Sequence, residues 1–309
     1  MKTALLVAVV LTSAATLAQN EQTAPAPAPQ GQKFSTNLVE RPEAPTYSDL
    51  YCSGFLTNET ISHKNLIAAG LNSPQQTQYM RGNTVFVSGG GLQEGAEYSV
   101  LREIRDPNNF EPFVGSKAAI AAAGQPYGEL GRIKVTALRG NTAIAEIVFS
   151  CQNMTLGDIV VPFKEHEPVM FRKATMIERF PANSARLTGR IVMAREFDTE
   201  VGRGQKVYIN LGSSKGVKLG DYFRAVRGYD PTKLKPIDTL GYKAPVGEDT
   251  QKIPGSVTPE TAKDLPERTL GEMVVIDVTP SAATAMITTA LEDIEVGDTV
   301  QLEEPTAQQ

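Results

Sequence analysis

Between about residue 47 and residue 303, apolar and polar positions alternate in short runs that are separated by glycine turns. Alternation with a period of two residues is typical of half-buried antiparallel strands. The clearest case is a hairpin with strands over 133–138 and 143–149, joined by Arg139-Gly140-Asn141. Two short helices are predicted as well, over 62–71 and over 116–123. The pattern predicts a mainly β fold with one or two short helices in loops.

The strand pattern occurs twice. Residues 131–160 align without a gap with residues 271–300, at a constant offset of 140 residues. An ungapped match preserves the register of the strands and the side that faces the core. We therefore expect a duplicated module: two tandem small antiparallel β-barrels or sandwiches of five or six strands each. Further matched segments are 91–100 with 216–225, 83–87 with 205–209, and 53–56 with 188–191.

Both modules carry an insertion at an equivalent place, over 106–130 in the first and 230–270 in the second. The first is rich in alanine and the second is rich in proline and charge, so the two share no sequence. Variable loops on a rigid scaffold are the usual place for recognition. We therefore predict that a partner binds at the insertions, with Phe110, Phe113 and Tyr127 as candidate contacts. A disordered spacer is the alternative for the second insertion.

The N-terminus has the pattern of an export signal. Lys2, an apolar run over 4–10 and small residues up to Ala18 predict a signal peptide. A transmembrane anchor is the alternative, although the run is shorter than the ~20 residues that a spanning helix needs. The chain is therefore expected in the periplasm or outside the cell, without a transmembrane segment after cleavage. The predicted organisation is a signal peptide (1–18), an Ala/Pro-rich spacer (19–46), a first β-module (47–165), a linker (166–185), a second β-module (186–303) and a tail (304–309).

The chain has two cysteines, Cys52 and Cys151. In an oxidising compartment two cysteines can pair. The alternative is a pair of free thiols that act as small buried apolar residues. A disulfide would require that the two Cα atoms lie within about 7 Å.

Composition argues against several classes of function. The chain has 30 Lys and Arg against 35 Asp and Glu, a net charge of −5, whereas a nucleic-acid-binding protein carries a basic face. Asp158, Asp221 and Asp298 each follow a glycine, which is typical of turns where a carboxylate accepts local backbone hydrogen bonds. The sequence has no recognisable nucleophile, metal or phosphate motif. We therefore predict a non-enzymatic protein with no catalytic residue, no metal and no cofactor.

Segments 207–223, 271–276 and 294–300 resemble the C-terminal β-domain of the flagellar assembly protein T, and 51–163 is a weaker copy. Related stretches also resemble segments of bacterial envelope proteins that carry LysM modules. The resemblance implies a periplasmic, non-enzymatic structural module.

The expected function is that of an exported, envelope-associated structural or assembly and binding protein. Its partner would be an envelope protein or peptidoglycan. One alternative is a carbohydrate-binding module for peptidoglycan, with Tyr98, Tyr208, Tyr222 and Phe223 as candidate aromatics, although their strand positions favour burial in the core. A second alternative is an enzyme with a diffuse carboxylate site.

Overall fold

The computed structural model describes residues 44–173, 176–181, 187–229, 261 and 264–303. The predicted signal peptide, most of the spacer, the tail and most of the second insertion lie outside these residues. The described chain is mainly β and forms two closed antiparallel barrels of six strands each, as the alternation predicted. None of the helices in this part of the chain is long and apolar enough to cross a membrane.

The first barrel closes in the strand order β5-β4-β7-β2-β3-β6, because β6 pairs back with β5. A seventh strand, β1, pairs with the beginning of β5 and lies outside the closed ring. The strands are β1 (Phe55–Thr57), β2 (Leu66–Gly70), β3 (Thr84–Ser88), β4 (Glu97–Glu103), β5 (Gln125–Arg139), β6 (Thr142–Ser150) and β7 (Ile159–Pro162). Helix α1 (Tyr47–Tyr51) precedes β1, and helix α2 (Ser116–Ala123) lies between β4 and β5.

The second barrel closes in the order β12-β11-β15-β8-β10-β13, which matches the first barrel strand for strand. The short strands β9 and β14 pair with each other beside it. The strands are β8 (Thr188–Ala194), β9 (Glu200–Val201), β10 (Lys206–Ile209), β11 (Tyr222–Arg227), β12 (Arg268–Val278), β13 (Ala283–Ala290), β14 (Ile294–Glu295) and β15 (Thr299–Leu302).

The central hairpins of the two barrels have the same register. Ile133 pairs with Ile147 in the first hairpin, and Met273 pairs with Ile287 in the second. Each hairpin has two β-bulges. The bulges of the second hairpin lie 140 residues after those of the first. The duplication predicted from the ungapped match is therefore confirmed.

Each barrel is filled by the inward side chains of its own strands. Val85, Val100 and Ile133 are buried in the first core, and Phe223 and Met273 are buried in the second. Burial of apolar surface contributes roughly 25 cal/mol per Å² and holds each ring of strands together. Three of the four aromatics considered for a sugar-binding face are also buried, as their strand positions favoured, but Tyr208 is buried on the outer side of its barrel. Tyr98, Tyr208 and Phe223 are buried, and Tyr222 is half-buried.

Two sequence-based expectations are wrong. Residues 66–70 form β2 rather than part of a helix over 62–71, because the short apolar run supplies the sixth strand of the barrel. A short apolar run does not by itself distinguish a strand from a buried helix. The counterpart of β8 is β2, so the match of 53–56 with 188–191 fails.

A bidentate ion pair that the sequence did not reveal is repeated in both barrels. The guanidinium of Arg102 donates to both carboxylate oxygens of Asp158, at 2.7 and 2.8 Å. The guanidinium of Arg227 does the same to Asp298, at 2.9 and 2.6 Å. Both aspartates are buried, and each also accepts a backbone N–H three residues earlier, as expected for turn carboxylates. In each barrel the ion pair connects one strand, β4 in the first and β11 in the second, to the turn before the last strand.

We predict that Asp298→Ala lowers the free energy of unfolding by roughly 3 kcal/mol, because it leaves Arg227 partly buried without its bidentate partner. Asp221→Ala is the matched control, since Asp221 accepts a hydrogen bond from Lys218 N in an exposed turn. Its loss is expected to stay below about 1 kcal/mol. Equilibrium urea unfolding measures both, and equal losses in the two variants would contradict the role given to the ion pair.

The junction between the barrels as a candidate functional site

The free edge of β1 and the residues before it are hydrogen-bonded by side chains of the second barrel. Four donors reach four backbone carbonyl oxygens: Tyr208 to Ser53 (2.9 Å), Thr284 to Gly54 (2.9 Å), Thr279 to Leu56 (2.6 Å) and Arg195 to Cys52. A strand edge normally exposes a row of unpaired backbone groups. Here side chains from more than 140 residues away in the sequence satisfy them. The two barrels are therefore joined through specific hydrogen bonds.

The approach of the second barrel is so close that residue 54 must be a glycine. Gly54 has a φ of +65°, and a Cβ there would lie 2.6 Å from the Tyr127 carbonyl oxygen and 2.7 Å from Tyr208 Oη. Tyr208 is fully buried, and this burial raises the pKa of its hydroxyl group. The hydroxyl therefore stays protonated and acts as a donor to the Ser53 carbonyl oxygen.

Apolar contacts complete the junction, and α2 from the first insertion takes part in them. Ser281 Oγ of the second barrel donates to the Ala123 carbonyl oxygen at the end of α2, at 2.6 Å. The first insertion is thus packed on the second barrel of its own chain. The buried cluster at the contact consists of Leu56, Ala123, Val192, Met193, Tyr208 and Ala282.

The structure does not bring the three candidate partner-binding aromatics together on one surface. Phe113 packs against the second barrel, where the guanidinium of Arg190 lies 4.9 Å from its ring centroid. Tyr127 is buried, and its hydroxyl lies 3.4 Å from Glu103. Phe110 is 59 % exposed and is the member of the three that faces solvent.

A disulfide joins Cys52 and Cys151 beside the junction. The Cα atoms are 5.6 Å apart and the two residues are separated by 99 positions. In the chain-entropy model, closing a loop of this length stabilises the fold by about 4–5 kcal/mol. The bridge ties the segment before β1 to the end of β6, and the Cys52 carbonyl oxygen is itself an acceptor for Arg195 of the second barrel.

Three titratable residues meet at the junction: Glu129 of β5, Asp277 of β12 and His166 of the linker. Glu129 accepts a hydrogen bond from Gly54 N at 3.2 Å, and its other oxygen lies 3.6 Å from His166 Nε2. Burial alone would lower the pKa of His166, but Glu129 and then Asp277 raise it above its ordinary value of 6.5. Burial, followed by the charge of Glu129, raises the pKa of Asp277.

A small cleft with aromatic walls opens next to this cluster. Glu129 and Arg132 lie among its lining residues, and the guanidinium of Arg132 is 4.5 Å from the ring centroid of Phe163. The cleft is narrow and has room for about one water molecule. The aromatic walls are Tyr47, Tyr51, Phe149 and Phe163.

Comparison with known protein families finds no match for this chain, and comparison with curated proteins finds no significantly similar sequence. Reasoning from the sequence also missed the junction, although it named Tyr208 as a candidate aromatic for sugar binding. A comparison of the two modules could have revealed the junction. Tyr208 and Thr284 lie at outward positions of the second module, and the equivalent positions of the first module have Phe86 and Ile144. A polar group at such a position in one copy alone indicates a contact specific to that copy.

We predict that Thr284→Val lowers the free energy of unfolding by about 1–2 kcal/mol, because the buried Gly54 carbonyl oxygen loses its donor. Thr136→Val is the matched control, since Thr136 Oγ1 donates to the Ile144 carbonyl oxygen, at 3.1 Å, in an exposed position. The control is expected to lose less than about 0.5 kcal/mol. Urea unfolding measures both variants. An equal decrease of the unfolding free energy in the two would contradict the proposed role of the junction.

We predict that the junction weakens as the pH rises above neutrality. The pKa of His166 is raised in the folded chain, so its contribution is complete below pH 6.5 and is lost as the pH rises through the raised pKa. The pKa of Asp277 is also raised, so its contribution to stability is likewise lost as the pH rises through that raised pKa.

His166→Gln is therefore expected to flatten the dependence of the unfolding free energy on pH above about pH 6.5. Urea unfolding at a series of pH values measures this slope. His63→Gln is the control, because the His63 side chain is about half exposed, as is its partner Glu103. A slope that His166→Gln leaves unchanged would show that the cluster does not couple the junction to pH.

Proposed function

We propose that the chain is exported and acts in the cell envelope as a non-enzymatic structural protein of the assembly or binding type. The observation that carries this proposal is the junction. Its hydrogen bonds to the edge of β1 and its apolar cluster hold two duplicated barrels as one unit. A rigid tandem of this kind presents its loops at fixed positions, which suits a scaffold that binds other components.

The disulfide supports a location outside the cytoplasm. Disulfides persist in oxidising spaces such as the bacterial periplasm and are rare in reducing ones. The bridge between Cys52 and Cys151 lies where the two barrels meet, so its reduction would loosen the junction itself. This agrees with the signal peptide expected at the N-terminus and with a periplasmic or extracellular location.

Binding to peptidoglycan is the second candidate, and the aromatic cleft beside the junction favours it. Aromatic faces stack on apolar faces of sugars, and a nearby carboxylate and guanidinium can bond sugar hydroxyls. Tyr47, a wall of the cleft, is 45 % exposed. Because the cleft accommodates about one water molecule, sugar binding there would require that the aromatic side chains move apart.

We predict that the purified chain cosediments with isolated cell envelopes. Retention after muramidase digestion indicates a protein partner, and release indicates peptidoglycan. Phe110→Ala is expected to weaken retention several-fold at unchanged melting temperature, because its exposed ring lies on the first insertion. Val114→Ala, at a fully exposed position in the same loop, is the matched control. Wild-type protein that stays in the supernatant would overturn the proposed function.

A further inference from the structure

The disulfide between Cys52 and Cys151 belongs to the first module alone. The chain has no other cysteine, so the second barrel closes its ring of six strands without a bridge. Leu291 is the counterpart of Cys151, 140 residues later. Its backbone N–H donates to the Leu270 carbonyl oxygen, as that of Cys151 donates to Leu130. A ring of this fold therefore does not depend on the disulfide.

Both cysteines also lie outside the closed ring of the first barrel. Cys52 lies between α1 and β1, which is itself outside the ring, and Cys151 directly follows the last residue of β6. The ring closes because β6 pairs with β5 and with β3, and these pairings include neither cysteine. Opening the bridge therefore breaks no pairing between the strands of either ring.

The disulfide holds the part of the first module that the second barrel contacts. This part, residues 46–57 with α1 and β1, is called the bridging segment here. The four hydrogen bonds from the second barrel to backbone carbonyl oxygens all end on it. In addition, Lys206 of β10 forms an ion pair with Asp49, and Leu50 packs on the buried cluster that contains Val274 of β12. The second barrel therefore binds this segment without help from the disulfide.

On its own barrel, the bridging segment depends more strongly on the bridge. Strand β1 forms only three residue pairs with β5, and so short a pairing is marginal by itself. Gly54 N donates to the Glu129 carboxylate at 3.2 Å, and the ring of Tyr47 lies edge-on to that of Phe149, with the centroids 5.0 Å apart. The disulfide adds a covalent connection to the end of β6. It thus fixes the bridging segment, and with it the second barrel, to the first ring.

We propose that the disulfide between Cys52 and Cys151 is a redox switch for the coupling of the two barrels. When it is oxidised, the bridging segment is fixed and the two barrels form one unit. When it is reduced, both rings stay closed, while the bridging segment loosens from the first ring and the junction opens without unfolding of a ring. The proposal concerns the regulation of the junction that carries the proposed function, and its biological setting rests on that function.

The reductant is a dithiol, such as the paired cysteines of an exported thiol–disulfide oxidoreductase. One thiolate of the dithiol attacks a sulfur of the bridge, which breaks the S–S bond, forms a mixed disulfide and releases the other cysteine as a thiolate. The second thiol of the reductant then displaces the remaining cysteine. The chain gains two electrons and two protons, and the dithiol becomes a disulfide. Neither Cys52 nor Cys151 is fully buried, so the bridge lies at the border of the junction, where a thiolate can approach it.

Helix α2 reports on the junction independently of the bridging segment. It has eight residues, and a helix of this length is marginal in water without tertiary contacts. Its end packs on the second barrel, where Ala123 lies in the buried cluster and its carbonyl oxygen accepts a hydrogen bond from Ser281. Opening of the junction removes this support, so the backbone amides of α2 then exchange faster.

Hydrogen exchange of the purified full chain, measured by mass spectrometry with and without dithiothreitol, tests the proposal. Reduction is expected to speed exchange several-fold in the bridging segment and in α2. Both are expected to exchange well before β3 of the first ring and β13 of the second, because the junction opens without unfolding of a ring. Re-oxidation after removal of dithiothreitol is expected to restore slow exchange. Alkylation under the same native conditions is expected to find both thiols free.

The double variant Cys52→Ser with Cys151→Ser is the matched control. It is expected to exchange like the reduced wild type from the start and not to respond to dithiothreitol, which excludes other effects of the reagent. The proposal is overturned if α2 keeps its slow exchange, because the junction then stays closed. It is also overturned if β3 exchanges in step with the bridging segment, since the bridge then only stabilises the first barrel against unfolding.

Two further results would overturn the switch. One is a bridge that resists dithiothreitol in the native chain but is reduced in urea, and the other is exchange that re-oxidation does not restore. All these measurements use purified protein without envelopes. Cosedimentation of the oxidised chain with envelopes is a separate result, so failure of the switch and failure of the proposed function are distinguishable.

Discussion

The free edge of β1 is the constraint on which the arrangement of the two barrels depends. Its carbonyl oxygens, and those of the residues before it, are turned toward the second barrel, and each buried one needs a donor. Tyr208 and Thr284 supply two of these donors, and the glycine at position 54 lets them come close enough. Separating the barrels would leave these carbonyl groups without partners unless water replaced the lost bonds. The disulfide, the helix from the first insertion and the carboxylate of Glu129 all act around this same edge.

The two barrels share the residues on the inner side of their strands and differ in the residues on the outer side. Inward residues, the β-bulges and the Arg–Asp pairs occur at equivalent positions in both barrels, and each acts within one ring of six strands. Outward residues are not needed for closure. Where the first barrel has Phe86 and Ala68, the second has Tyr208 and Val192, which form the junction. The barrel tolerates a new interface because its own stability does not depend on those side chains.

The fold could be predicted from the sequence where the signal was local or repeated. Alternation identified the strands of the central hairpins, and the ungapped match fixed their shared register. The failures have physical reasons. The run around Ile67 was too short to distinguish strand from helix. The segment that was matched with β8 contains the start of β1, which lies outside the closed ring. The junction depends on contacts such as Tyr208 with Ser53, which are 155 residues apart, and single-sequence periodicity contains no information about such pairs.

The first insertion shows how recognition and architecture are connected in this protein. It occupies a loop position where binding to an external partner was expected, yet α2 and Phe113 pack on the second barrel of the same chain. The loop therefore recognises a copy of its own module. An insertion that differs between the two copies thus takes part in joining them.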